Sequence, residues 1–206
     1  MDINSAWLTT NRTCNLKCKW CYAREACDDQ QMDFEKAKAI VERLSSRKVK
    51  KVVLIGGEPT LYPNLIDLIR YIKDKGMHVS IATNGKKFRD LEFAESIVKA
   101  GVSGINISLK SNSERGYIND TGTTGFEDAL KGYDNLKISG FKASVSYVII
   151  DGDRRKFKNL IEVLKEREID NIGLQFVKPA LELTESSNIM DIREMGEFVE
   201  YIYELM

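Results

Sequence analysis

The sequence predicts an α/β fold in which a parallel sheet, with its helices outside, curves into a partial (β/α)6 barrel. Short β-branched runs alternate with longer amphipathic stretches roughly every 25 to 45 residues, the mark of repeated βαβ units. Glycines stand where helices should stop, and capping residues where they should start. The chain has 206 residues, 43% hydrophobic and 30% charged, the composition of one globular domain over 1–206. An open doubly wound sheet is the competing topology, and pattern alone does not separate the two.

The strands are expected near 5–11, 51–55, 77–82, 104–109, 142–150 and 171–177, rich in Val, Ile and Thr. Helices fall near 33–47, 63–75, 87–100, 125–139, 154–168 and 189–205. Asp33 can cap the first helix, Pro63 suits the first turn of the second, and Gly76, Gly101 and Gly140 should end three others. Met190, Met195, Phe198, Ile202 and Leu205 line one side of the last helix, which is still helical where the sequence stops. Either this is a minimal domain or, the reading favoured, a chain truncated before a C-terminal extension. In a barrel of this kind the C-terminal ends of the strands form one functional rim.

Lys and Arg number 31 and Asp and Glu 31, so the formal net charge is zero and the electrostatic case for nucleic acid or an anionic membrane is missing. The first ten residues lack the basic start and apolar stretch of a signal peptide, and no apolar run approaches the roughly 20 residues a membrane span needs. The expectation is a cytoplasmic protein with no membrane or nucleic-acid partner. In that reducing compartment a tight cysteine cluster points to metal or redox chemistry rather than disulfides.

Such a cluster stands at 13–23, "TCNLKCKWCYA": Cys14, Cys18 and Cys21, with Trp20 directly before the third. Thiolates at these spacings let one short loop wrap a single site, for an iron-sulfur cluster or for zinc. Zinc would ask for a fourth ligand, with Cys27 or the lone His78 as candidates, whereas three thiolates suit a 4Fe-4S cluster with one iron left open. Unpaired, incidental cysteines are the plain alternative. A second motif, Gly56-Gly57-Glu58-Pro59, ends the second strand. Paired glycines let backbone approach a ligand, and Glu58 can accept a hydrogen bond from an ammonium group; a Gly-Gly turn stiffened by Pro59 would be the structural reading.

Together and in this order, "CNLKCKWC" and "GGEP" resemble the cysteine loop and strand-end motif of the radical S-adenosylmethionine (radical SAM) enzymes. The likeness runs on through "ATNG" (82–85), "NISLK" (106–110), "TGFEDALKGYDNL" (124–136) and "NIGLQFVKP" (171–179). It implies a TIM-like partial barrel with Cys14, Cys18 and Cys21 holding a 4Fe-4S cluster. It also implies S-adenosylmethionine bound through its amine and carboxylate to the open iron, beside Gly56, Gly57, Glu58, Pro59 and Trp20. Thr83, Asn84 and Ser108 match positions that hydrogen-bond the cofactor in similar enzymes, although turn and capping chemistry explains Asn84-Gly85 as well. Val148 and Ile150, with Gln175 and Phe176, are candidate adenine contacts by their place on the fifth and sixth strands, and core packing explains the apolar ones nearly as well.

The pattern departs from many peptide-modifying relatives at Lys110, where they carry Asp, and near Thr121, where they carry an Arg that contacts the cofactor carboxylate. Lys110 or Arg115 would stand in for it. Cysteines for auxiliary clusters are missing after Cys27, which reads as a bystander. His78, at the start of the third strand, sits at the rim opposite the cysteine loop and reads as structural.

The function implied is reductive cleavage of S-adenosylmethionine to a 5'-deoxyadenosyl radical that takes hydrogen from a substrate, with a flavodoxin or ferredoxin as external one-electron reductant. Peptide-modifying maturases are the nearest in style, so a peptide or protein substrate is expected. The alternatives are a nucleoside- or small-molecule-modifying radical SAM enzyme, or a cluster-binding protein that carries electrons without catalysis.

Overall fold

Among the described residues six strands lie side by side in chain order and all run parallel: β1 (Ser5–Thr9), β2 (Lys51–Ile55), β3 (His78–Thr83), β4 (Gly104–Leu109), β5 (Ser144–Ile149) and β6 (Ile172–Phe176). The computed structural model describes residues 3–21, 23, 28–177 and 190–205. Strictly sequential order separates the two topologies that pattern left open. A doubly wound sheet reverses its strand order at a switch point, whereas crossovers that all progress one way, with the usual right-handed twist, roll the sheet toward a barrel. β1 and β6 remain its two edges, so the barrel is partial.

Alternation along the strands sorts the two faces. Val52, Leu54, Val79, Ile81, Ile105, Ile107 and Leu109 are buried against the helices. The opposite face carries Ser80, Asn106, Ser108, Ser144 and Ser146 in matched register, and Asn106 donates to Ser144 Oγ at 3.0 Å while accepting from Ser146 Oγ at 2.7 Å. That polar face is the barrel interior. Trp7, on the same face at the β1 edge, is 70% exposed.

Among the described residues seven helices complete the units: α1 (Phe34–Ser46), α2 (Leu65–Asp74), α3 (Leu91–Lys99), α4 (Glu114–Thr121), α5 (Phe126–Ile138), α6 (Arg154–Glu166) and α7 (Ile192–Leu205). Asp33 caps α1 by accepting from the Lys36 amide at 3.0 Å, as its position suggests. Gly76, Gly101 and Gly140 close their helices with φ of 75°, 89° and 75°. Pro63 lies two residues before the first helical residue, Leu65, in the turn ahead of the Asn64 N-cap of α2, and not in the first helical turn as expected. The stretch 87–100 is two pieces, because Asp90 accepts from the amides of Glu92 and Phe93 and restarts the helix after a 3-10 turn over Lys86–Arg89.

α4 has no counterpart in the sequence reading. It is eight residues long and holds Gly116, Asn119, Asp120 and Thr121, all weak helix formers. Its ends make it: Ser113 Oγ accepts from the Gly116 amide at 3.2 Å, and Gly122 stops it at φ 73°. The start of α5 is satisfied from the same place. Its N-cap, Gly125, has no side chain to offer, and the Glu114 carboxylate accepts instead from the amides of Gly125 (2.9 Å), Phe126 (2.9 Å) and Glu127 (3.3 Å).

α7 docks as its apolar side predicts. Phe198 and Ile202 are buried, and the Phe198 ring meets Phe157 edge-on at 5.5 Å. Its start carries a signature that sequence reading passed over: Asp191 and Glu194 exchange amide bonds at 2.8 Å each, a capping box.

Candidate functional site

The cysteine loop leaves the C-terminal end of β1 and lies against the ends of β2 and β3. Its first residues bind directly to the Gly-Gly-Glu segment: Gly57 N–H donates to Asn11 O at 2.9 Å and Glu58 N–H to Thr13 O at 2.8 Å. Asn11 Nδ2 donates in turn to the Thr13 and Glu58 carbonyls at 3.1 and 3.0 Å. Here the two glycines are needed for space. A Cβ on Gly56 would meet Asn11 Oδ1 at 2.2 Å, and one on Gly57 would meet the main-chain oxygens of Arg12 and Thr13 at 2.3 and 2.4 Å. The close approach the glycines allow is therefore, first of all, that of the cysteine loop itself.

Glu58 is placed differently from the expectation. Only 2% exposed, its carboxylate turns inward and takes four bonds. Oε1 accepts from the Thr60 amide (3.1 Å), Thr60 Oγ1 (2.7 Å) and Thr83 Oγ1 (2.6 Å), and Oε2 from the Asn84 amide (2.7 Å). A buried carboxylate is stable only with such partners. Thr83, 3% exposed, has its hydroxyl committed to Glu58 and to the Gly85 amide (3.0 Å), so these two side chains build the rim rather than present themselves at it. Pro59 is buried at the start of a 3-10 turn over Pro59–Leu61.

Asn84 does reach the loop. Its Nδ2 donates to Asn15 Oδ1 at 2.7 Å, next to Cys14, while its Oδ1 takes the Lys86 amide. From the other side α4 holds the middle of the loop: Lys17 N–H donates to Thr121 O at 2.9 Å and Lys19 N–H to Asp120 O at 3.0 Å, one bond on each side of Cys18. The loop is thus gripped by β2, β3 and α4.

Cys18 is buried, and Cys14, Cys21 and Trp20 are half-buried against the core. Burial pushes the Cys18 thiol above its ordinary pKa, opposed by the ammonium of Lys110. Among the described residues no three His, Cys, Asp or Glu side chains converge on the space of one metal ion. A 4Fe-4S cluster is a wider body than an ion and spreads its thiolates around it. Cys27 lies outside the described residues. His78 begins β3, at the far rim, as expected.

Lys110 follows β4 and donates through Nζ to Ser108 Oγ at 2.6 Å; among the described residues it forms no ion pair. A cation and a hydroxyl therefore stand together at the rim beside Cys18, suited to a carboxylate. Val148 and Gln175 are direct register partners on β5 and β6 and share the interior face, Gln175 exposed. Phe176 points the other way, with its ring edge-on to Phe198 at 6.4 Å, and leaves the set of interior contacts.

One buried polar atom near the loop was not foreseen. The hydroxyl of Tyr117, a fully buried residue of α4, has no hydrogen-bond partner among the described residues. Sequence reading missed it because α4 itself was not recognised.

A parallel partial barrel with a cysteine loop sewn to its C-terminal rim is an α/β architecture that places thiols where barrels of this kind bind their cofactors and substrates. The chain belongs to the Radical SAM superfamily, whose family model matches residues 8–173. Its cofactors are accordingly S-adenosylmethionine and a 4Fe-4S cluster. It is 32% identical over 202 residues to an Fe-coproporphyrin III synthase of Methanosarcina barkeri, covering 90% of this chain and 49% of that protein. It is 28% identical over 179 residues to a probable GTP 3',8-cyclase of Pyrococcus abyssi, covering 80% and 58%. The chain thus spans about half the length of the curated relatives it matches. In fold it is similar to Streptococcus suis SuiB bound to S-adenosylmethionine (TM-score 0.84, 18% identity, 99% of this chain and 48% of that one). It is similar also to anSMEcpe with AdoMet and the Kp18Cys peptide (TM-score 0.84, 16% identity, 98% and 59%). No helix among the described residues is long and apolar enough to cross a membrane.

Proposed function

We propose that this chain is the catalytic core of a cytoplasmic radical SAM enzyme acting on a peptide or protein. Cys14, Cys18 and Cys21 hold the cluster, and Trp20 packs beside it. The main chain of Gly56, Gly57 and Glu58, with Asn84, cradles the methionine end of S-adenosylmethionine, Pro59 and Thr83 keeping that backbone in place. Ser108 and Lys110 take the carboxylate, and Val148 and Gln175 border the adenine. When bound, the two cofactors supply one-electron cleavage of the sulfonium and a 5'-deoxyadenosyl radical able to remove hydrogen from substrate. The protein's own part is to orient the methionine end, to neutralise its carboxylate, and to keep water from the barrel interior. A flavodoxin or ferredoxin supplies the electron.

The observation that carries this reading is the joint construction of loop and rim: Gly57 and Glu58 hydrogen-bond to Asn11 and Thr13, so the thiols and the cofactor cradle are one rigid unit. An electron carrier would need no such cradle. The peptide substrate is supported by SuiB and anSMEcpe, solved with the precursor peptide SuiA and with the Kp18Cys peptide. A second reading, a tetrapyrrole or nucleotide substrate, is favoured by the sequence relatives named for coproporphyrin and GTP chemistry.

Anaerobic reconstitution followed by dithionite and S-adenosylmethionine tests the proposal. The expected result is 5'-deoxyadenosine from the wild type and none from C14A, C18A or C21A. A loaded protein that releases none, with any peptide, porphyrinogen or nucleotide added, would refute it.

A further inference from the structure

The faces around the thiols are not equivalent. β2 and β3 end beneath the cysteine loop, bonded to it through Gly57, Glu58 and Asn84, and the barrel interior is the side assigned to S-adenosylmethionine. α4 meets the loop from a further side. The amides of Lys17 and Lys19 donate to the carbonyls of Thr121 and Asp120 at 2.9 and 3.0 Å, and Cys18 is the residue between them. A route from the surface of α4 to a ligating thiol therefore crosses a single hydrogen bond.

That surface has a make-up of its own. Lys17 and Lys19 are exposed on the loop; Arg115, Ile118, Asn119 and Gly122 are exposed along α4 and its C-cap, three and four residues apart and so on one side of the helix. The two stretches meet: Lys19 Nζ donates to Asn119 Oδ1 at 3.3 Å, and a Cβ on Gly122 would lie 3.7 Å from that of Lys17. Ile118, 45% exposed, puts an apolar side chain beside these cations. Among the described residues Lys17, Lys19 and Arg115 form no ion pair. Both acids of α4 are already engaged, Glu114 by three amides at the start of α5, and Asp120 by Asn119 Nδ2 at 2.9 Å and Ser111 Oγ at 3.3 Å. In a chain of zero formal charge, this is a local excess of positive charge beside a thiol.

We infer that this face, built from α4 and the cysteine loop, is the docking surface for the electron donor: a small acidic carrier protein that presents an apolar flavin edge among carboxylates, the chemistry of a flavodoxin. Lys17, Lys19 and Arg115 steer and orient the carrier, Ile118 meets the flavin edge, and Cys18 lies behind them in the loop. In the transfer the reduced carrier loses one electron and the cluster gains it, with no bond made or broken in the protein. The inference rests on the cluster and the external reductant proposed above.

The test uses the whole chain, reconstituted anaerobically as wild type, as the double variant Lys17→Glu/Lys19→Glu and as Ile118→Asp, with iron content measured for each. Calorimetry reads the affinity for an oxidised acidic flavodoxin. Freeze-quench EPR reads the rate of cluster reduction by two reductants: the same flavodoxin, reduced beforehand, and photoreduced deazariboflavin, which is small and uncharged. The double variant should bind flavodoxin and be reduced by it about tenfold or more weakly and slowly than wild type. Added salt should weaken the wild-type complex and not that of the variant. Ile118→Asp should weaken it too. Deazariboflavin should reduce all three proteins alike. Equal flavodoxin affinity in wild type and double variant, or an equal loss of rate with deazariboflavin, overturns the inference while leaving the cluster proposal intact. So does a cluster-loaded wild type that flavodoxin does not bind. Should the double variant fail to hold iron, Ile118→Asp and the salt dependence of the wild type decide, and an affinity unmoved by both refutes the docking surface. A wild type that takes up no cluster refutes this inference and the reading beneath it.

Discussion

The Asn84 amide donates to Glu58 Oε2 over 2.7 Å and ties the end of β3 to the end of β2, while the Asn84 side chain reaches Asn15 in the cysteine loop at 2.7 Å. Glu58 therefore controls the loop at second hand. Replacing it with Gln puts an NH2 group among donors already aimed at both oxygens, leaving a buried donor facing a donor. Glu58→Gln should lower stability by about 1–3 kcal/mol in urea unfolding. It should also reduce iron retained per chain after reconstitution. Wild-type stability and iron content would show that the inward carboxylate does not organise the rim.

Gly57→Ala asks the same rim for space it does not have. The new methyl would lie 2.3 Å from Arg12 O and 2.4 Å from Thr13 O, and both are main-chain atoms that cannot swing aside. Overpacking of this kind costs about 1–3 kcal/mol. The loop is the least anchored partner, so it is expected to yield, and the variant should bind less iron even where circular dichroism shows the barrel intact. Full iron loading would mean that the glycine serves a ligand and not the loop.

These two residues also mark what was legible beforehand. Strand positions, helix ends at Gly76, Gly101 and Gly140, and the apolar side of α7 follow from periodicity and backbone chemistry, which are local. The three cysteines and the Gly-Gly-Glu-Pro run were visible because their spacing is itself the signal. What Glu58 and Thr83 do was not, because the direction of a side chain at a strand end depends on contacts from 25 residues away. α4 escaped for a similar reason: its sequence is poor in helix formers, and bonds to Lys17 and Lys19 across the site hold it in place. Tyr117 was hidden with it.

Lys110 offers a measurement on the cofactor itself. Its ammonium bonds to Ser108 Oγ at 2.6 Å beside Cys18 and lacks a carboxylate among the described residues. If it takes the carboxylate of S-adenosylmethionine, Lys110→Met should raise the cofactor's dissociation constant about tenfold or more, the worth of a hydrogen bond to a charged group. Lys110→Arg should recover most of the loss. Calorimetric titration of the reconstituted protein reads both. Equal affinities for wild type and Lys110→Met would move the assignment to Arg115.

Glu114 gives a prediction that needs neither cofactor. Gly125 leaves the first amides of α5 without a side-chain cap, and the Glu114 carboxylate supplies three acceptor contacts from α4 in its place. Loss of a charged cap costs about 0.5–2 kcal/mol, so Glu114→Ala should lower stability by that amount and speed amide exchange at Gly125, Phe126 and Glu127. Because α4 bonds to Lys17 and Lys19 at its other end, the exchange of those two amides should quicken as well. Faster exchange confined to α5, with Lys17 and Lys19 unchanged, would show that the cap serves its helix alone and that α4 does not carry the effect to the thiols.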